Sequence, residues 1–438
     1  MFDLPKYGEG ICLARLAALL ETLAVDRAWL QRRSVVVTGS NGKGSTAAYC
    51  ASIGNAHGLR TGLFTSPHLY QINERFRIDG SPIDSGELAN LAARVSAGIS
   101  EVSARLNQRF CAFEAMFALA CLYFQESDCD FAVFEAGIGG RYDPVRLVGA
   151  RVTCVTSVDY EHVQLLGPTP EFIVSDKSDA CASGGIVVYG ENCLNLKPHL
   201  LEYNRHREVA SLFAREQIVI DSEVASASGQ RFNYRFERLE FQALEIGLPG
   251  GFQFNNAAIA ATLFLLWLRQ TRPRTTPAAI ESAVRAGLRE TRWPGRLEVI
   301  EQNPLTVIDV GHTPDAIKQS LASLRSIHGT DGWILVTGAS ADKKADEIIR
   351  ALAPSFRTII CTRAYHKGAD AQTIATLARA ANPNAKVDTA ATIEDSVELS
   401  RSLATSRNER IYVAGGLFLA IEFATVARGG NARDLAFF

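Results

Sequence analysis

The sequence lacks three things that would assign it quickly: a paired-cysteine motif, a long apolar run and a large net charge. Its nine cysteines are scattered singly, with no C-x-x-C and no metal-type pairing with histidine. That excludes a zinc or disulfide framework; an odd, dispersed set in 438 residues reads as buried thiols in a reducing cytosol, so a cytoplasmic location is expected. The longest apolar run, AAIAATLFLLWL from Ala257, is about a dozen residues, which suits a buried helix and falls short of the about 20 that span a membrane. Formal net charge is -2, which gives no electrostatic reason to expect nucleic acid or an anionic membrane as partner. The opening MFDLPKYGEG carries Asp and Glu and no apolar stretch, so no signal peptide is expected. Internal repeats and low-complexity tracts are also missing.

What is present suits a large globular protein. Hydrophobic residues make up 47% and charged residues 21%, enough to bury a sizeable core. The length suggests two or three domains. Residues 8–24 place apolar side chains at helical spacing and predict an amphipathic helix. From Ser34 onward, strand-like runs (SVVVTG, TGLFTS, DFAVFEAG, VTCVTSVD) alternate with helix-like ones (STAAYCASIGNAH, FEAMFALACLYFQES). Such alternation predicts βαβ units and a mostly parallel sheet. Between about 184 and 248 the rhythm changes to GGIVVYG, REQIVID, RFNYRF and FQALEIGL, which predicts a β-rich insert without long helices. TRWPGRLEV, residues 291–299, is a Pro-Gly break read as a domain junction. After it the alternation restarts, predicting a second, smaller α/β domain.

The most informative stretch is VVVTGSNGKGSTAAYC, residues 35–50. A β-branched run meets a Gly-rich loop with one lysine, and a helix follows. Exposed N–H groups and the positive dipole end at such a helix start favour phosphate. Glycines let the backbone approach, Lys43 can reach terminal phosphates, and the Ser45 hydroxyl suits a neighbouring Mg²⁺. Gly44 separates Lys43 from Ser45, so the spacing departs from the ordinary G-x-x-x-x-G-K-[ST]. The competing reading is a Gly-rich turn that binds nothing. A second candidate is Glu135, which ends the apolar strand DFAVFEAG before a glycine cluster. That position puts a carboxylate at the C-terminal edge of a sheet, where α/β proteins bind ligands.

GSNGKGST resembles the nucleotide loop of the Mur-type ligases, in particular the folylpolyglutamate synthase/dihydrofolate synthase branch. GLFTSPHL, INERFRIDG, FEAMFALA, EAGIGGRYD, TSVDYEH, WPGRLEV and DVGHTPDA follow in family order, so the resemblance runs from about residue 30 to 420. It implies an α/β fold with a P-loop-containing parallel-sheet ATPase domain over 1–292, like the Mur ligase central domain, then a smaller Rossmann-like α/β domain over 293–438. It also implies an ADP-forming ligase that activates a carboxylate with ATP as an acyl phosphate, which an amino acid attacks, with two Mg²⁺ ions. Small-molecule substrates and a monomer are expected.

Carried over residue by residue, the resemblance assigns Asn41, Gly42, Lys43 and Gly44 to ATP phosphates. It assigns Asn256, Arg296 and Asp309 to other ATP contacts, and Ser66, Glu135 and His162 to magnesium. Lys177 falls where the family carries a carbamylated lysine, and His312 lies in a loop suited to the incoming amino acid or phosphate. Cys111, Ala112, Phe113 and Glu114, with Tyr142, Asp143 and Pro144, match the segments lining the pteroate site. Each has a plainer reading: an ordinary turn for Ser66, a structural histidine for His162, a solvated lysine for Lys177, a linker salt bridge for Arg296, a loop residue beside the Thr313 helix cap for His312, and core packing for Phe113.

The sequence also departs from the family. GGRYDPVR replaces the usual GGRLDATN, with Arg146 in place of asparagine; Arg146 is either a bidentate site for an extra carboxylate or a surface arginine. Phe252 replaces a usual histidine, GHTP replaces AHNP, and Lys177 lacks its usual E-K-A-G context. The ATP residues are mostly kept while the departures gather near the pterin and acceptor pocket. Three functions therefore stand: folate ligation, the same engine acting on another carboxylic acid, and a nucleotide-binding regulator without ligase activity.

Overall fold

The computed structural model describes residues 4, 13–226, 229–341 and 345–437. The expected N-terminal helix begins within these at Leu13 and runs to Thr22; its first turns, the leader reading of the N-terminus, and Lys344 at the head of one expected helix lie outside the described residues.

Among the described residues the chain forms three sheets. The first has eight strands: β1 Ser34–Thr38, β2 Thr61–Phe64, β3 Phe76–Ile78, β4 Ser81–Pro82, β5 Phe131–Glu135, β6 Val152–Val155, β7 Ile186–Tyr189 and β8 Ala210–Phe213. Their spatial order is β4-β3-β2-β5-β1-β6-β7-β8. From β2 to β8 neighbours pair in parallel, while β3 and β4 add an antiparallel edge. β1 and β5 are buried along their whole length, which is why they read as unbroken apolar runs instead of alternating ones.

One face is covered by helices Lys43–Ala56, Phe252–Thr271 and Pro277–Glu290, the other by Leu13–Thr22, Ser85–Leu106 and Ala112–Glu126. Helix 85–106 is bounded by local chemistry. The Asp84 carboxylate accepts from Gly86 N and Glu87 N at its start, and Asn107 turns left-handed at its end with φ 51°.

The β-rich stretch is shorter than its composition suggests. β7 and β8 belong to the main parallel sheet, with helix Lys197–Arg205 between them. Only β9 Ile218–Ser226, β10 Gly229–Phe236 and β11 Leu239–Ile246 form a separate antiparallel sheet. β10 alternates buried and exposed residues, and its Phe232 and Tyr234 join the core beneath helix 252–271. A short apolar run looks the same in either sheet; only its pairing tells them apart.

Beyond the Pro-Gly break, β12 Glu298–Gln302, β13 Leu305–Ile308, β14 Trp333–Thr337, β15 Thr358–Cys361, β16 Lys386–Thr389 and β17 Arg410–Ala414 form a six-stranded sheet in the order β12-β13-β17-β14-β15-β16. Helices 314–328, 345–352 and 371–381 pack on one face, 393–407 and 417–427 on the other. The junction is tight: Gly295 has φ 74°, and a Cβ there would stand 2.8 Å from Val310 Cγ1. This second α/β unit thus meets the first immediately after helix 277–290.

Candidate active site

β1 lies at the centre of the first sheet, and β2 and β6 return on opposite sides of it. The crevice at their C-terminal ends is the switch point where open α/β sheets take ligands. The 39–45 loop fills that point. Gly42 caps the 43–56 helix with φ 85°, and a Cβ on it would come 2.5 Å from Asn256 Oδ1. The loop is pinned from the β6 side: Ser157 Oγ accepts from Asn41 N at 2.8 Å, and Thr156 Oγ1 donates to Asn41 O at 2.6 Å. From the helix 252–271 side, Gln253 Nε2 donates to Ser45 Oγ at 3.3 Å, and Asn256 Nδ2 donates to Gln253 Oε1 at 2.9 Å. The helix start therefore keeps its shape while its first N–H groups face the crevice.

Two ammonium groups converge on one carbonyl. Lys43 Nζ donates to Gly39 O at 2.9 Å and Ser40 O at 3.2 Å, and Lys177 Nζ donates to Gly39 O at 3.1 Å. Lys177 is buried and pairs with Glu161 Oε1 at 2.7 Å, which rules out the solvated-lysine reading. Burial lowers its hold on the proton, Lys43 adds to that, and Glu161 opposes it. Burial also works against the Glu161 charge, but Lys177 and Lys43 outweigh it and bring that carboxyl down to about 2.

Glu135 closes the other side. It sits 4% exposed at the end of β5, and its Oε2 accepts from Ser66 N at 3.1 Å. Burial pushes it up to about 6, against the pull of Lys43, the Ser66 N–H, Arg296 and Arg75. The positive charge of Arg296, just past the Pro-Gly break, acts on both Glu135 and Asp309. Asp309 is buried and accepts from Leu297 N at 3.1 Å, Gly311 N at 2.9 Å and Ser320 Oγ at 3.1 Å. Across the cleft Thr313 Oγ1 donates to Asn41 Oδ1 at 3.3 Å, so the loop bearing His312 reaches the phosphate loop.

Other expected residues lie differently. His162 caps the short helix 163–166 on an exposed loop with φ 46°. Among the described residues no three His, Cys, Asp or Glu side chains gather as a metal site. The Ser66 backbone N–H and the Glu135 carboxylate are brought together, and a serine hydroxyl and a carboxylate are the hard oxygen types that Mg²⁺ takes beside phosphate oxygens and water.

Glu114 is committed to Arg15 in a buried two-pronged pair at 2.9 and 3.0 Å, and also accepts from Cys111 N at 2.8 Å. Asp143 accepts from Gly137 N, Ile138 N and Val145 N, and burial raises it to about 6. Both carboxylates thus organise their own chain. Cys111 is the N-cap of helix 112–126 and Ala112 its first residue, while Pro144 opens a 3-10 turn. Phe113 is half-buried; a Cβ on Gly137 would be 2.8 Å from its ring, so the 111–114 and 142–146 segments meet at Gly137. Tyr142 is 51% exposed, and exposed Arg146 donates to Arg141 O at 2.8 Å. Sequence reasoning missed Arg75 and Trp293. Arg75 is a charged residue just ahead of β3 that turns out 5% exposed, its charge acting on Glu135, and Trp293 Nε1 would lie 3.0 Å from a Cβ on Gly44.

The family of the Mur ligase glutamate ligase domain matches residues 295–417. Folylpolyglutamate synthase of Lacticaseibacillus casei is 33% identical over 350 residues, 79% of each chain. Dihydrofolate synthase/folylpolyglutamate synthase of Bacillus subtilis (strain 168) is 29% identical over 352 residues, covering 79% of this chain and 80% of that one. Among solved structures, a complex of FPGS with AMPPCP and folate superposes with a TM-score of 0.81 at 28% identity, covering 96% of both chains.

Proposed function

The chain belongs to the folylpolyglutamate synthase/dihydrofolate synthase family of Mur ligases, and from that membership we propose that it joins L-glutamate to dihydropteroate or a folate, spending ATP to ADP through an acyl phosphate. The observation that carries the reading is the convergence of Lys43, Lys177, Arg296 and the buried Glu135 around one glycine-capped helix start. Phosphoryl transfer needs little from a protein beyond positioning and charge, and this cleft supplies both.

In the proposed mechanism the first N–H groups of helix 43–56 take the nucleotide phosphates. Lys43 exchanges its bonds to Gly39 O and Ser40 O for phosphate oxygens. Arg296 brings a second positive charge from the junction, and Asn256 and Asp309 complete the nucleotide contacts. Glu135 and Ser66, with His162 offered from the loop after β6, would hold Mg²⁺, whose chemistry is to neutralise phosphate charge. Lys177, drawn toward its neutral form by burial, is an amine able to add CO₂; as a carbamate it would orient a second ion.

The acid substrate lies against Cys111, Ala112 and Phe113 on one side and Tyr142, Pro144 and Arg146 on the other, with Glu114 and Asp143 shaping these segments. His312, exposed above the cleft, receives the amino acid. The partners are then small molecules, with no nucleic acid or membrane, and the enzyme works as a cytoplasmic monomer. No helix among the described residues is long and apolar enough to cross a membrane.

The test is phosphate release from ATP with Mg²⁺ and L-glutamate, plus either dihydropteroate or a reduced folate, with mass spectrometry of the products. A product heavier by one glutamyl unit is expected. ATP binding without that product would favour another carboxylic acid, a reading motivated by the exposed Arg146 and the altered 142–146 loop. No phosphate release with any acid would leave a nucleotide-binding regulator.

A further inference from the structure

Residues 66–75 connect β2 to β3 and touch both α/β units. At its start, Ser66 N donates to Glu135, and Thr65 N donates to Arg75 O at 3.1 Å. In its middle the Glu74 carboxylate gathers Leu69 N, Tyr70 N and Gln71 N at 2.9 to 3.0 Å, so the segment is a fixed turn. Leu69 and Tyr70 pack on the core of the second unit, and the Tyr70 hydroxyl accepts from Arg428 Nη1 at 2.9 Å. Arg428 is held in turn by Glu298 at 2.6 Å.

His68 makes the longest reach. It is 2% exposed, and one ring nitrogen, Nε2, lies 2.8 Å from the carbonyl of Ala436. The other, Nδ1, accepts from Arg75 Nε at 2.9 Å. An Nδ1 that accepts leaves the ring proton on Nε2, so His68 donates to Ala436 O. The segment bearing Ala436 is anchored to the second unit, where Phe437 packs on Phe418 with ring centroids 4.8 Å apart and on His366 at 5.2 Å. Arg75 is buried, and its guanidinium acts on Glu135 and Glu74. A line of hydrogen bonds therefore runs from Ala436 O through His68 to Arg75 Nε, and from Arg75 O through Thr65 N and the adjoining Ser66 N to the Glu135 carboxylate at the end of β5.

We infer that Arg75 is a positioning residue for Glu135, and that His68, locked by the Ala436 carbonyl, sets the place of Arg75. Docking of the second unit is thereby transmitted to the oxygen donors at the phosphate site. This rests on the proposed role of Glu135 as a magnesium ligand. Partners behind a metal ligand typically change metal affinity by about 10–100-fold when removed, and no charge transfer or proton movement is needed.

The test follows Mg²⁺-dependent binding of a non-hydrolysable ATP analogue to the full chain by calorimetry. The proteins are wild type, His68→Ala, His68→Gln, Arg75→Met and the double variant His68→Ala/Arg75→Met. The Mg²⁺ concentration for half-maximal binding should rise about tenfold in His68→Ala and in Arg75→Met. The double variant should be no worse than Arg75→Met alone, because the two residues act in series. His68→Gln, which keeps one donor and one acceptor, should restore most of the wild-type response. An unchanged Mg²⁺ dependence in His68→Ala, or a lower melting temperature as the only effect, would overturn the relay. Should Arg75→Met not fold, His68→Ala decides alone, since it leaves every charge in place. The assay uses no acid substrate, so a wild-type protein that binds the nucleotide yet makes no glutamyl product counts against the proposed reaction and leaves the relay standing.

Discussion

Gly42 shows how much of this site rests on one backbone angle. Its φ of 85° is ordinary for glycine and costs an L-residue about 1–2 kcal/mol. The added Cβ would also meet Asn256 Oδ1 at 2.5 Å, so Asn256 must move. Gly42→Ala should therefore lower the melting temperature modestly and weaken ATP-analogue binding strongly; unchanged binding would argue that the loop turns elsewhere. Lys43 and Glu135 test the opposite kind of residue, one that faces a ligand. Lys43→Ala and Glu135→Ala should each lower kcat at least about 10²-fold while circular dichroism and melting stay near wild type. Full activity in either variant would remove that residue from the site. Arg75 stands between the two kinds, buried like a core residue and charged like a site residue. For that reason no reading of INERFRIDG alone singles it out.

Helix 112–126 begins where the acid substrate is proposed to lie, and its first turn is held by a buried ion pair. Glu114 bonds Arg15 twice and caps Cys111 N, joining the N-terminal helix to this one. Removing one partner of such a pair leaves an uncompensated buried charge and costs about 3–5 kcal/mol. Arg15→Met should thus be severely destabilised in urea unfolding. Arg15→Met/Glu114→Gln should regain much of the loss, because glutamine keeps the Cys111 cap without the charge. If the double variant is no better than the single, the pair is not what fixes the helix start. The same element shows why sequence patterning has a limit. FEAMFALA marks a helix and a family, but the partner of its glutamate lies 99 residues away.

Between the two units, specific contacts cross at the phosphate loop as well as at the 66–75 segment. Thr313 bonds Asn41, Ser323 Oγ accepts from Gly251 N at 3.1 Å, and Phe252 packs against the second core. The substitution of histidine by Phe252 thereby becomes a packing contact across the cleft. A nucleotide held at this junction binds the folded state alone, so saturating ATP analogue at about 100 times its Kd should stabilise the protein by about 2.7 kcal/mol. Thermal shift should record this in wild type and lose it in Lys43→Ala. A shift that survives Lys43→Ala would put the nucleotide outside the 39–45 loop.

Local periodicity by itself determined the strand and helix alternation on either side of the Pro-Gly break, and the loop after β1 raised the expectation of a phosphate. Apolar patterning is set by burial, which each strand feels wherever it pairs. The chain alone did not determine which sheet β7 and β8 join, because pairing is a long-range choice that leaves the run unchanged. Nor did it reveal that Glu114 and Asp143 serve their own backbone, that Lys177 is buried against Glu161, or that Arg75 and Trp293 border the cleft. A side chain's role follows from the charges and carbonyls around it, and only tertiary structure brings those neighbours together.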